Sequence, residues 1–170
     1  MFSKKMEAAL NAQVNEELFS SYIYLSMSAY LESVSLKGHA NWMRMQAKEE
    51  LVHAMKFYDY IIERGGKVVL DTIKAPQTKW KSSLDAFEDA YKHEQYITNK
   101  INKLVDLANS QKDHATSSML KWFVDEQVEE EASADEIVQK LKLAKNSPNA
   151  VFMLDQELGK RVFTPPAIEE

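Results

Sequence analysis

Four glutamates, Glu17, Glu50, Glu94 and Glu130, stand where the apolar stripe of a helix would carry leucine, and His53 follows Glu50 by one turn. Steps of seven or eleven residues return a helical side chain to within about 20° of its starting azimuth. Those steps lead from Glu17 to Met6, Leu10, Tyr24 and Ser28, and from Glu50 to His39, Met43, Phe57 and Ile61. From Glu94 they reach Ser83, Phe87, Ile101 and Val105, and from Glu130 they reach Met119, Phe123, Ile137 and Leu141. A single glutamate in such a row reads as a solvated surface residue, because Glu is almost never buried without a partner. Four of them, one on each of four helices, read as a cage for metal cations. A buried carboxylate is costly unless paired, and four carboxylates balance two divalent ions. Glu50 and His53 lie one turn apart, so both can grip one ion. Carboxylate-rich ligation with one imidazole and no sulfur suits iron or manganese better than copper or a structural zinc. Without metal, mutual repulsion is expected to raise some of these pKa values as a coupled set. His39, His93 and His114 read as satisfied structural histidines.

Positioning those residues takes four long helices, and the chain supplies them. A first segment runs from about 3 to 32 without internal glycine or proline, with Ser3 as its N-cap. A break over 33–38 precedes a second segment, 39–64, which Gly65-Gly66 closes as a helix C-cap would. The stretch 67–82 is rich in β-branched residues and has no helical period. Segments over 83–110 and 113–145 follow, then a break at Asn146-Ser147-Pro148, a short helix over 149–158 and an irregular tail over 159–170. A helix of this length spans about 40 Å, and sixteen extended residues reach roughly 50 Å. The long connection can therefore return along the whole bundle, leaving helices two and three parallel. The short connections make the other sequential pairs antiparallel. The fold expected is all-α: a ferritin-like four-helix bundle of two antiparallel hairpins joined by one crossover, with a short fifth helix, as a single domain over 1–170.

Composition agrees. Among 170 residues, 45 % are hydrophobic and 28 % charged, and four glycines and four prolines are too few for an all-β chain. A formal net charge of −5 speaks against a nucleic-acid binder. With no cysteine there is no disulfide, thiolate metal site or cysteine nucleophile. No apolar run approaches the ~20 residues of a membrane span, so the chain reads as soluble and cytoplasmic, with no membrane partner.

Along essentially its whole length the sequence resembles the non-haem ferritins of bacteria and archaea. The resemblance is carried by Asn15-Glu-Glu-Leu, Asn41-Trp-Met, Glu49-Glu-Leu-Val-His53 and His93-Glu94, by the run from Trp122 to Glu131, and by Leu154-Asp-Gln-Glu-Leu158. Di-iron bundles of this kind often carry a second Glu-x-x-His; here the corresponding stretch reads Gln127-Val-Glu-Glu130. That departure points to a non-haem ferritin and an asymmetric site. The resemblance implies one iron held by Glu17, Glu50 and His53, and a second held by Glu94 and Glu130 with Glu50 bridging. It places Gln127 and Tyr24 beside the irons, hydrogen-bonding a bound ligand; the alternative for Tyr24 is a core tyrosine with its hydroxyl satisfied elsewhere. A third iron is implied at Glu49, Glu126 and Glu129, where the alternative is a solvated acidic face. Glu131 reads as surface, and Trp122 as packing near the site.

The activity implied is a ferroxidase: Fe(II) oxidised by O2 or H2O2 at paired irons, with ferric oxide mineral stored in a homo-oligomeric cage of twenty-four copies and no haem. The first helix carries a second apolar row, Val14, Leu18, Tyr22, Leu25 and Ala29. It fits either a wide core face or subunit contacts; the resemblance favours contacts, with Val151, Phe152, Met153 and Leu154 at the fourfold axis. A haem-binding relative would need methionine where Val52 stands, and a rubrerythrin would need cysteines. The remaining alternatives are a non-catalytic helical-bundle binding or scaffold protein, whose acids would be exposed, and a storage-only ferritin subunit, which would lack several ligands.

Overall fold

The structure, a computed structural model, describes residues 3–144 and 147–164. Among them lie five helices: α1 (Lys4–Ser33), α2 (Lys37–Glu63), α3 (Ser83–Ser110), α4 (His114–Ala144) and α5 (Pro148–Leu158). The expected end of α4 at Lys145, the break residue Asn146, and tail residues 165–170 lie outside the described residues.

Four of the five helices begin on a side-chain cap, which satisfies one of the amides a first turn leaves unpaired. Ser3 accepts from the Met6 amide at 3.0 Å, Ser82 from Asp85 at 3.1 Å, Asp113 from Thr116 at 3.2 Å and Ser147 from Ala150 at 3.2 Å. Pro148 opens α5 one residue earlier than expected, its fixed φ already suited to a first turn. The exception is α2, which has no side-chain cap. It also starts at Lys37, two residues before the expected His39, and so takes in Gly38. That glycine is a packing residue and not a breaker: a Cβ on it would lie 1.6 Å from the main-chain oxygen of Asp155 in α5. At the other end of α2 the expected cap forms. Gly65 takes a φ of 71°, and the amides of Gly65 and Gly66 donate to Ile62 and Ile61 at 2.8 Å each.

Three residues link α1 to α2 and three link α3 to α4, so each pair is an antiparallel hairpin. The crossover fixes how the hairpins meet. Its residues climb α1 in chain order: Lys67 donates to Glu7 at 2.8 Å, Val69 to Asn11 at 2.6 Å. Further on, Asn15 donates to the Thr72 carbonyl at 3.2 Å and Ser26 to Gln77 at 2.6 Å. The chain thus returns to the starting end of α2 before α3 begins, and α2 and α3 run parallel. Trp80 anchors the end of this path against Tyr30, ring centroids 5.3 Å apart. No helix among the described residues is long and apolar enough to cross a membrane.

The apolar core is cut in two. One cluster gathers Met27, Leu31, Met43, Phe87, Ile137 and Leu141 at the α5 end. The other gathers Leu10, Phe57, Ile61, Ile101, Leu120 and Phe123 at the opposite end. Leu154 and Leu158 of α5 are buried in the first cluster. Leu154 therefore does not reach an outer axis as expected, because its side of α5 faces the chain's own core. Phe152 and Met153 point outward, 64 % and 71 % exposed.

Candidate metal centre

Between the two apolar clusters lies a polar layer: Gln13, Glu17, Ser20, Gln46, Glu50, His53, Glu94, Gln127 and Glu130, all buried. Each comes from mid-helix, on the stripe that buries apolar neighbours above and below it. The four glutamates expose only 1–6 % of their surface. Alpha-helical periodicity thus forces carboxylates into the dry centre, and every oxygen there must find a donor or a cation.

Amides supply much of the hydrogen bonding. Gln13 donates to Glu17 Oε1 at 2.8 Å. Gln46 donates to Glu50 Oε1 at 3.0 Å and to Glu130 Oε2 at 2.6 Å, tying α2 to α4. Gln127 donates to Glu94 Oε2 at 3.2 Å and to its main-chain oxygen at 3.2 Å. The Tyr24 hydroxyl donates to Glu94 Oε1. The other oxygen of Glu17, Oε2, is buried without any hydrogen-bond partner.

His53 stands between two sets of carboxylates. Its Nδ1 lies 3.4 Å from Glu50 Oε2, and its Nε2 lies 3.9 Å from Glu126 Oε1. Trp122 meets the imidazole edge-on at 5.4 Å. Two groups present converging ligand atoms within 4.8 Å of one another: Glu17, Glu50 and His53, and His53, Glu126 and Glu130. The first is the set expected to hold one iron. In the second, Glu126 comes in beside Glu130 where Glu94 was expected, because Glu94 is turned toward Tyr24 and Gln127. Glu49 is half-buried and turned to Arg161. Glu129 is exposed and belongs to neither group, though its charge helps raise the carboxyl of Glu126, after burial and against His53. Glu131, expected on the surface, is half-buried and accepts from Thr98.

Without metal the layer is nearly neutral. Burial, then the charge of Glu50, pushes Glu17 up to about 8. Burial and Glu50 likewise push Glu94 up to about 8. Glu130 is raised well above the ordinary range by burial, Glu50 and Glu94. Burial also works against ionised Glu50, but the His53 hydrogen bond and charge, with the Gln46 amide, hold its carboxyl below the usual value. For His53 burial disfavours charge, yet the hydrogen bond and charge of Glu50, then Glu17 and Glu130, carry the imidazole up to about 10. At neutral pH the layer is one imidazolium–carboxylate pair beside two mostly neutral carboxyls, Glu17 and Glu94, with the protonated form of Glu130 favoured too. The protons it holds can leave when cations replace their charge.

Sequence reasoning named Gln127 but missed the amides of Gln13 and Gln46 and one cation. Gln13 and Gln46 each precede a buried glutamate by four residues, a one-turn spacing that marks a side-chain pair on a helix. Arg161 left no such signal. It lies beyond α5 yet donates to Gln46 Oε1 at 2.9 Å and to Glu49. Of the structural histidines, His39 is fully buried with its Nδ1 2.7 Å from Asp155 Oδ1, and His93 Nε2 meets the Ser20 hydroxyl at 2.7 Å.

A two-hairpin bundle with one long crossover and an interior layer of carboxylates and imidazole defines the di-metal carboxylate class of four-helix proteins. A ferritin-like domain model matches residues 7–144. A bacterial non-heme ferritin of Bacteroides fragilis is 44 % identical over 161 residues, 95 % of this chain and 100 % of that protein. An engineered closed form of Archaeoglobus fulgidus ferritin is 51 % identical with a TM-score of 0.95, covering 96 % of this chain and 100 % of that one. The open-pore ferritin of the same archaeon is 50 % identical with a TM-score of 0.94, covering 95 % and 98 %. The chain belongs to the ferritin family.

Proposed function

We propose that this protein stores iron and detoxifies it by oxidising Fe(II) to Fe(III) at paired ions within each subunit, depositing ferric oxide inside a shell of its own copies. Iron is here substrate and cargo. The observation that carries the reading is the polar layer itself: five ionisable ligands buried at the bundle centre, with Glu17 Oε2 lacking any donor. A hard cation is the partner that such an oxygen fits.

Glu17, Glu50 and His53 hold the first ion. Glu130, with Glu94 and Glu50, holds the second once Glu94 gives up its proton and turns from Tyr24. Two adjacent ferrous ions deliver two electrons together. With O2 and two protons this yields two ferric ions and H2O2; with H2O2 and two protons it yields two ferric ions and water. Tyr24 and Gln127 hold Glu94 before iron enters, and afterwards Tyr24 is freed to donate to whatever oxygen ligand the ions carry. Glu126, Glu49 and Glu129 form an outlet that holds a third ion on its way to the mineral. No haem takes part, and the whole chain, 1–170, acts as one domain.

Surplus apolar surface supports assembly. Tyr22 and Leu25 on α1 are 48 % and 46 % exposed, more than one isolated bundle needs to show. The similarity to ferritins described as open-pore and closed forms supports a closed homo-oligomeric shell, and we assign twenty-four copies to it. Ferrous iron as substrate places the protein in the reducing cytoplasm.

The test is stopped-flow ferric absorbance after oxygen meets protein loaded anaerobically with two Fe(II) per subunit. His53→Ala and Glu130→Ala are each expected to abolish the fast phase while gel filtration shows the shell intact. A fast phase unchanged in both variants would remove the catalytic assignment. A scaffold or storage-only subunit would show no fast phase in the unaltered protein.

A further inference from the structure

Beyond α5 the chain continues as a short strap held against the first part of α2. Asn41 of α2 pins its backbone, donating to the carbonyls of Leu158, Gly159 and Arg161 at 3.3, 3.4 and 3.0 Å. From this anchored backbone Arg161 reaches inward. Its guanidinium pairs with Glu49, donates to Gln46 Oε1 at 2.9 Å and to the Trp42 carbonyl at 3.4 Å, and lies 4.3 Å over the Trp42 ring.

Two consequences follow from the chemistry of guanidinium, which donates and never accepts. By taking Gln46 Oε1, Arg161 fixes which end of that amide faces the layer, so Nε2 is the end that meets Glu50 and Glu130. By taking Glu49, it places a resident positive charge on an oxygen that an outgoing iron would need. The guanidinium holds Oε2 of Glu49, so an ion competes with it directly for that oxygen and by charge repulsion at the other.

We propose that Arg161 is a tethered competitor for iron at the outlet: a positioning residue that keeps the third ion weakly held and yields Glu49 only while an ion passes. This rests on the reading of Glu49 and Glu126 as third-ion ligands. When Glu49 swings to an ion, Arg161 keeps its contacts to Trp42 and Gln46, so it stays parked beside the outlet and re-pairs when the ion leaves. The outlet is thereby a transit point and not a store.

The test is anaerobic Fe(II) calorimetry on the assembled protein, comparing unaltered chain, Arg161→Gln, Glu49→Gln and the double variant. Arg161→Gln is expected to bind the third ion at least about tenfold more tightly, a gain larger than any change at the first two ions. Glu49→Gln and the double variant lose the third ion. Asn41 keeps the strap in place without the Arg161 side chain, and gel filtration with thermal melting checks this. If Arg161→Gln fails to assemble, crystals of the unaltered protein at graded Fe(II) carry the test, because Arg161 must leave Glu49 in proportion to third-ion occupancy. A third ion that Glu49→Gln abolishes but Arg161→Gln leaves unchanged or weakens overturns the role of Arg161 and spares the outlet. An Arg161–Glu49 pair intact at full third-ion occupancy does the same. No third ion in any variant removes the outlet reading and this proposal with it.

Discussion

Loading the metal-free protein with two Fe(II) per subunit at pH 7 is expected to release close to three protons from Glu17, Glu94 and His53, with any that Glu130 holds adding to them. Glu17 and Glu94, each raised to about 8, are roughly nine-tenths protonated at that pH. His53, raised to about 10, is protonated almost completely, and burial with the charges of Glu50 and Glu94 favours the protonated form of Glu130 as well. Glu50 is already ionised and contributes nothing. Metal ligation requires the deprotonated form of every one of these groups, so each proton held by the layer must leave. The same five groups at ordinary values would release less than one proton, because four carboxyls would be ionised and His53 mostly neutral. A pH-stat titration in weak buffer under anaerobic conditions reads the number directly. Glu17→Gln lowers the count by about one. A release below one proton per two ions would mean that the layer is open to water, and the electrostatic picture of the site would be wrong.

Other expectations follow from the same geometry. A carboxyl raised in the folded state binds its proton more tightly there than in the unfolded chain, so stability present below about 4.5 is lost as pH climbs through about 8. His53 adds loss in the same direction up to about 10, and calorimetry is therefore expected to show a metal-free melting temperature that falls from pH 5 to pH 9. Metal loading flattens that slope; a melting temperature that rises over the range contradicts the raised values. Gly38→Ala drives a Cβ into the Asp155 carbonyl and is expected to cost about 1–3 kcal/mol, read as a lower denaturation midpoint. Leu25→Glu puts charge beside the exposed Tyr22 of α1, and gel filtration is expected to show small species in place of a shell.

Much of this fold could be read from spacing alone. The glutamate rows, the Gly65-Gly66 cap and the length of the crossover rest on helical period and chain reach, which are local properties. What escaped was non-periodic or depended on a distant partner. Gly38 looks like a breaker until α5 is seen to press against it. Leu154 cannot be assigned to core or surface before the docking of α5 is known. Arg161 sits in an irregular tail, where no period points inward, and only tertiary structure brings it to Glu49. At the site, spacing placed Glu17, Glu50, His53, Glu94 and Glu130 on inward rows but could not say how their oxygens would be shared. That Glu94 turns to Tyr24 and Glu126 leans toward His53 is decided by competition among donors in a layer with few of them.

Iron-edge anomalous diffraction from crystals soaked anaerobically in ferrous salt would locate the ions themselves. Two peaks per subunit are expected inside the polar layer, one coordinated by Glu17, Glu50 and His53 and the other by Glu130 with Glu94 and Glu50. Peaks confined to the outer surface, with those five side chains unliganded, would contradict the account.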